Sequence, residues 1–327
     1  MDVTRFHEDL ALVPHHLESL AGALEAGLPG VDLLPAASRV LVLGMGSSAY
    51  AAGLVAQAAR AQGVAVEVSL ASAELLPPPA PDLVVIAVSA TGGSAEVLHA
   101  VTRYAGTGRL VAVTNKTDSP LAEVADVLVP LTAGVEASGV ACRTFRHTVV
   151  VLSEVLRTYG FTPTVAPAVS ARRAAGANAE LLEGAPAWLP QVSSTLLGPH
   201  GTFLLAPLER LASAQQGALM MREVPRRPAW ASETGDWAHV DLYLARTLDY
   251  RVLLFAGSRW DGQALDWLEH RGATFVSVGA DLPGAAHVVR YAGDEDPLLA
   301  VLSEVLVAEL VAARWHEADP DFTWSGR

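Results

Sequence analysis

The sequence predicts an α/β fold built as two similar halves, each a doubly wound parallel sheet with helices on both faces. Three observations predict it. Short, wholly apolar runs recur, each followed at once by polar turn residues and then by a helix-length stretch, the pattern of buried parallel strands joined by crossover helices. The pattern restarts after the turn-rich segment Leu197-Gly198-Pro199-His200-Gly201. With 327 residues, 51% of them hydrophobic, there is apolar material for two medium cores.

Residues 1–37 are expected to form an N-terminal helical segment, and 38–165 the first α/β domain. Its first strand, Arg39-Val40-Leu41-Val42-Leu43, ends in Gly44-Met45-Gly46-Ser47-Ser48 and runs into an alanine-rich helix from Ala49 to Arg60. The unit repeats with Leu83-Val84-Val85-Ile86-Ala87-Val88, the polar segment Ser89-Ala90-Thr91-Gly92-Gly93-Ser94, and a helix to about Tyr104. Leu110-Val111-Ala112-Val113-Thr114 is the next strand. From Thr144 to about Asn178 the chain reads helical, broken at Phe161-Thr162-Pro163-Thr164, with 166–195 as a helical linker. The second domain, 196–315, carries strands Thr202–Ala206, Arg251–Phe255 and Thr274–Val278, a helix Ala212–Glu223, and a closing amphipathic helix Leu298–Trp315. Residues 316–327 form a tail. The second half has no counterpart of the Ser/Thr/Gly segment, so the halves have diverged in role.

Composition narrows the partners. The formal charge of -13 argues against nucleic acid or an anionic membrane surface, which attract basic patches. A small anion stays possible, because backbone N–H groups hold one without net positive charge. Lys116 is the only lysine and Cys142 the only cysteine. An intramolecular disulfide and a zinc site of several thiolates are thereby excluded, no metal or organic cofactor is expected, and a reducing cytoplasmic setting is predicted. The N-terminus has no secretion-signal pattern, and no apolar stretch reaches membrane-spanning length.

In an open parallel sheet, ligands sit beyond the C-terminal strand ends. Gly46-Ser47-Ser48 and the segment from Ser89 to Ser94 both fall there. Glycines let the backbone approach a ligand, hydroxyls donate hydrogen bonds, and the N–H groups of the following helix favour negative charge. The pair therefore suits a phosphate monoester. Taken alone, the second segment reads equally well as an N-cap and a turn; two such loops at adjacent strand ends favour binding. A dinucleotide fingerprint fits poorly, since Glu67 lies inside its strand and not at its end, and no Walker lysine is present.

The chain resembles the sugar isomerase (SIS) family, and specifically its tandem-domain members. The resemblance rests on Val42-Leu43-Gly44-Met45-Gly46-Ser47-Ser48, Ser89-Ala90-Thr91-Gly92-Gly93-Ser94-Ala95-Glu96, Thr114-Asn115-Lys116-Thr117-Asp118-Ser119-Pro120-Leu121-Ala122, Ala133-Gly134-Val135-Glu136 with Gly139-Val140-Ala141, and Gly217-Ala218-Leu219 with Arg222-Glu223. It implies two SIS domains of three-layer, flavodoxin-like form. It also implies that Ser47, Ser48, Ser89, Thr91 and Ser94 hold a sugar phosphate, with the backbone near Val140 and Cys142 lining the sugar. Glu223 would be the base moving a proton between C1 and C2, and His239, 16 residues on, the ring-opening group. In that family the histidine reaches a neighbouring subunit, which implies a homodimer.

The chemistry is coherent in itself. One carboxylate can take an α-proton and return it to the next carbon, and a histidine titrating near neutrality can protonate the ring oxygen. Most Glu and His residues are not catalytic, so composition alone favours an exposed Glu223 paired with Arg226 or Arg227 and a structural His239 beside Trp237. The sequence also departs from the family. Residue 2 is Asp, so glutaminase chemistry is not expected, Met220 stands where a family lysine occurs, and the common C-terminal lysine would fall at or beyond Arg327. Lysine-free proton transfer at C2 remains: aldose–ketose isomerisation or deamination of a hexose or hexosamine 6-phosphate. The alternatives are an N-acetylamino-sugar-phosphate dehydratase using the same base and a non-catalytic sugar-phosphate regulator.

Overall fold

A strand whose every side chain is apolar must be covered on both faces, and the covering layers come from the helices that follow each strand. The computed structural model describes residues 3–322 and shows this arrangement twice. Two helices come first, α1 (Val3–Ala11) and α2 (Val13–Ala26). Then follow β1 (Arg39–Gly44), α3 (Gly46–Ala61), β2 (Val66–Leu70), β3 (Leu83–Ser89), α4 (Ala95–Val101), β4 (Leu110–Thr114), α5 (Pro120–Val124), β5 (Val127–Pro130), α6 (Arg143–Arg157) and α7 (Pro167–Leu196). The chain continues through β6 (Thr202–Ala206), α8 (Leu211–Glu223), β7 (Ala229–Glu233), α9 (Thr234–Trp237), β8 (Arg251–Phe255), α10 (Asp261–Arg271), β9 (Thr274–Val278), β10 (His287–Val289), α11 (Pro297–Ser303) and α12 (Val305–Ala318).

The sheets are ordered β2-β1-β3-β4-β5 and β10-β9-β8-β6-β7, with every pairing parallel. Counted by chain order within each half, both read 2-1-3-4-5, so β6 to β10 repeat β1 to β5. The sequence expectation of an α/β protein with two doubly wound parallel sheets is met. Two compact units result. The first comprises residues 15–135 and 141–172; the second comprises residues up to Pro14, the short segment Glu136–Val140, and everything from Arg173 onward.

In the first unit Leu41, Leu43, Val85 and Ala87 pack against Val97, Val101 and Tyr104. In the second, Phe203, Val252 and Leu254 meet Trp237, Leu268 and Tyr250, with the Phe203 and Tyr250 rings stacked 3.8 Å apart. Three strands escaped the sequence pattern: β5, β7 and β10. All are sheet edges and only partly buried, so none needs a continuous apolar run. The expected helix Leu298–Trp315 is instead α11 and α12, separated at the buried Glu304, whose carboxylate pairs with buried Arg210. Nor is α12 amphipathic: every residue from Val305 to Ala313 is buried, because the helix packs inside the second unit. Arg327 and the end of the 316–327 tail lie outside the described residues.

Candidate functional site

Both candidate phosphate loops lie in the first unit, at the ends of strands that pair directly, Leu43 opposite Ala87. After β1 the chain turns at Gly46, with φ +50, straight into α3. No side chain caps that helix, and the Ser48 N–H turns back to Met45 O at 3.1 Å. Ser47 and Ser48 sit half-buried in this first turn. After β3, buried Ser89 accepts the Gly92 N–H through Oγ at 3.1 Å, and exposed Thr91 accepts the Gly93 N–H at 3.3 Å.

Gly92 is dictated by shape. Its φ is +62, and a Cβ there would lie 2.0 Å from Ser119 Oγ, so the loop closes tightly onto the N-cap of α5, where Ser119 accepts the Ala122 N–H. Ser94 stands at the N-cap position of α4, its carbonyl accepting the Leu98 N–H at 2.9 Å, but its side chain makes no cap bond and instead donates to Glu96 at 3.1 Å. Asn115, just past β4, bonds the following loop at both ends of its amide, donating to Gly134 O at 2.6 Å and accepting the Ala133 N–H at 2.8 Å. Cys142 is fully buried ahead of α6, its carbonyl accepting from Arg146 at 2.9 Å.

The second unit holds the remaining candidates. Gly217 lets α8 settle between β6 and α12, since a Cβ there would lie 2.7 Å from Leu204 and 2.9 Å from Ala308. That packing fixes the helix end carrying Glu223, which is half-buried. Burial pushes its carboxyl above the usual range, Arg226 pulls it back, and the nearby Glu136 raises it again. Arg226 itself holds a left-handed backbone, φ 59, rare for a non-glycine residue. Arg227 is occupied elsewhere, against Asp319 and the Trp315 and Phe322 rings. Met220, where a family lysine was considered, is fully buried.

His239 is exposed in the turn after α9, its N–H donating to Asp236 O at 2.8 Å. Trp237 is fully buried and donates to the Tyr250 hydroxyl. Val140 is buried and belongs to the second unit, whereas Cys142 belongs to the first. The five hydroxyl residues thus gather on one pair of strand ends, and Glu223 gains Glu136 as a neighbour that sequence reasoning quoted only as part of a motif. Asp9, which holds the Glu136–Val140 segment, carried no sequence signal at all. Among the described residues no group of three or more His, Cys, Asp or Glu could hold a metal ion. Nor is any helix among them long and apolar enough to cross a membrane.

Residues 33–156 match the SIS domain family. Over 338 aligned residues the chain is 29% identical to the glutamine–fructose-6-phosphate aminotransferase (isomerizing) of Aeropyrum pernix, covering 92% of this chain and 53% of that protein. The chain therefore spans about half the length of this curated relative. The C-terminal domain of glucosamine-fructose-6-phosphate aminotransferase from Francisella tularensis superposes with a TM-score of 0.79 at 17% identity, covering 96% of each chain. Tagatose-6-phosphate ketose/aldose isomerase from Escherichia coli gives a TM-score of 0.76 at 15% identity, covering 99% of this chain and 96% of that one. The chain thus matches the SIS domain family over part of its length and shares the two-sheet fold of these structures.

Proposed function

We propose that this SIS-domain chain is a sugar-phosphate isomerase that moves a proton between C1 and C2 of a hexose or amino-hexose 6-phosphate, in the cytoplasm. The observation that carries the reading is Glu223: a carboxylate half-buried at a helix end, with its pKa pushed up by burial and by Glu136. A base whose pKa is raised toward the working pH both takes a proton and gives it back efficiently, and such groups contribute about 10²–10⁴-fold. Glu223 removes the C2 proton of the open-chain aldose as the C1 carbonyl oxygen is protonated, giving an enediol; the Glu223 carboxyl, which exchanges its proton with solvent, then protonates C1 as the O2 proton is lost, giving the ketose. With an amino sugar the same shift gives a C2 imine, to which water adds and from which ammonia leaves, giving the ketose.

In this reading Ser47, Ser48, Ser89, Thr91 and Ser94 hold the phosphate, and the backbone near Val140 and Cys142 lines the sugar. His239, exposed on its turn, protonates the ring oxygen in the site of a second copy of the chain, making the working form a homodimer.

The test is incubation with fructose 6-phosphate, glucosamine 6-phosphate and N-acetylglucosamine 6-phosphate in deuterated buffer. Deuterium at C2, or at C1 when the ketose is supplied, identifies proton transfer; release of ammonia or water assigns the deaminase or dehydratase branch. Glu223→Gln is expected to abolish exchange while leaving phosphate affinity nearly intact. Binding of the sugars without exchange for any of them would sink the enzyme reading in favour of a sensor.

A further inference from the structure

We propose that Asp9 is a positioning residue for this chemistry: from α1 it clamps the segment Glu136–Val140 and so sets where Glu136 and Val140 stand relative to Glu223. The inference rests on the assignment of Glu223 as the base. The segment forms neither helix nor strand, so its shape depends on its hydrogen bonds. Asp9 is 2% exposed. Its Oδ1 accepts the Ala137 N–H at 3.1 Å, and its Oδ2 accepts both the Ser138 N–H at 2.8 Å and the Ser138 hydroxyl at 2.7 Å. The Ser138 hydroxyl in turn accepts the Val140 N–H at 3.2 Å. Gly139, with φ +78, closes the turn by donating to Glu136 O at 3.1 Å.

One carboxylate thus satisfies two backbone donors and a hydroxyl, and through that hydroxyl a third N–H. Asp9 shares the inner face of α1 with Phe6 and Leu10, both fully buried. Packing alone would favour an apolar residue at this position, because a buried carboxylate is costly unless fully bonded. Here the carboxylate is spent on the segment. The charged groups that act on Glu223 are Arg226 and Glu136, and Glu136 is the residue at which the clamped turn begins. Holding that turn keeps Glu136 close enough to lift Glu223 toward the working pH.

The experiment compares Asp9→Asn, Ser138→Ala and Glu223→Gln in the full chain. For each, kcat and KM for exchange with the sugar phosphate used are followed against pH, with the Kd for inorganic phosphate and Tm alongside. Asn presents one acceptor oxygen and turns an NH2 toward a donor, so Asp9→Asn is expected to raise KM roughly tenfold. The Kd for inorganic phosphate should not change, because the phosphate loops lie in the other unit. Freeing Glu136 lowers the pKa of Glu223, so the acid limb of kcat/KM moves to lower pH. Ser138→Ala keeps the charge at position 9 and should move KM and the limb in the same directions by less, which separates segment placement from loss of charge. Wild-type KM and limb in both variants would overturn the proposal, as would a loss of Tm and kcat with the limb and the sugar-to-phosphate discrimination unmoved. Glu223→Gln that still exchanges overturns the base assignment and this inference together; an inactive Glu223→Gln alongside an unmoved limb in Asp9→Asn overturns the role of Asp9 alone.

Discussion

The loop after β3 and the loop after β8 follow the third strand of the same 2-1-3-4-5 topology, yet they satisfy their backbone amides differently. After β3 the acceptors are neutral hydroxyls: Ser89 Oγ for Gly92 and Thr91 Oγ1 for Gly93. After β8 a carboxylate does the work, since Asp261 Oδ2 accepts the Gly257 N–H at 2.7 Å and the Ser258 N–H at 3.1 Å. A hydroxyl can turn and donate to an arriving anion. A carboxylate already is the anion and repels another. A cavity of about 660 Å³ opens beside the second loop, lined by Glu209, Glu233, Asp294 and Glu295 with Arg210 and Arg259; Arg210 is already paired with Glu304 and donates to Ala256 O. The same topology ends its third strand in a tight loop in both halves. The side chains at the loop decide which of them suits a phosphate.

The largest effect expected from breaking this contrast comes from the glycines. Gly92→Ala drives a Cβ into Ser119 at a positive φ, and should cost about 2–4 kcal/mol of stability with phosphate affinity falling by roughly a hundredfold. Gly257→Ala, whose Cβ would lie 2.8 Å from Arg210 at φ +122, should lose stability but not phosphate affinity. Thermal melts and phosphate titration of the two variants read the difference; equal losses of affinity would show that the loops do not differ in role.

Ser89→Ala should weaken phosphate by roughly 0.5–3 kcal/mol. Ser258→Ala should leave phosphate binding unchanged, because the Asp261 carboxylate already holds the amides of that loop. A smaller and more specific effect is expected from Asp261→Ala. Removing the built-in anion frees two amides, and calorimetry should find a second phosphate site with a Kd on the order of millimolar; one site only would mean that the carboxylate is not what keeps the second loop unsuited to phosphate.

Smallest is Arg226→Gly. Relief of the left-handed backbone should stabilise the protein by about 1 kcal/mol. Loss of the cation that lowers the Glu223 pKa should move the acid limb of kcat/KM to higher pH, opposite to Asp9→Asn. The sign follows from a base that must be ionised: kcat/KM falls as pH drops through its pKa, so raising that pKa carries the limb upward. A limb that moves down, or a less stable variant, would break the prediction.

The central strands were legible because burial on both faces imposes continuous apolar runs, as in Leu83–Val88 and Arg251–Phe255. The edge strands β5, β7 and β10 were not, since residues such as Ser232 and Glu233 in β7 meet no such demand. At the site, the hydroxyl loops were legible as residue types at strand ends, whereas the partners of Glu223 were not. Asp9 bonds residues 128 and 129 positions away, a relation that no local spacing encodes. The division into units was equally illegible, because residues 136–140 join the second unit from within the first unit's stretch of chain.

The sequence by itself determined two parallel α/β sheets and the polar loops that follow the first and third strands of the first sheet, because strand burial and turn chemistry act over a few consecutive residues. Only the tertiary structure decided which loop amides meet hydroxyls and which meet a carboxylate, that the Ser94 side chain turns to Glu96 and makes no cap bond, and that Glu136 and Arg226 act on Glu223. Those outcomes depend on which distant side chains are brought within hydrogen-bond range and how far water is excluded around them, and both are properties of the packed chain.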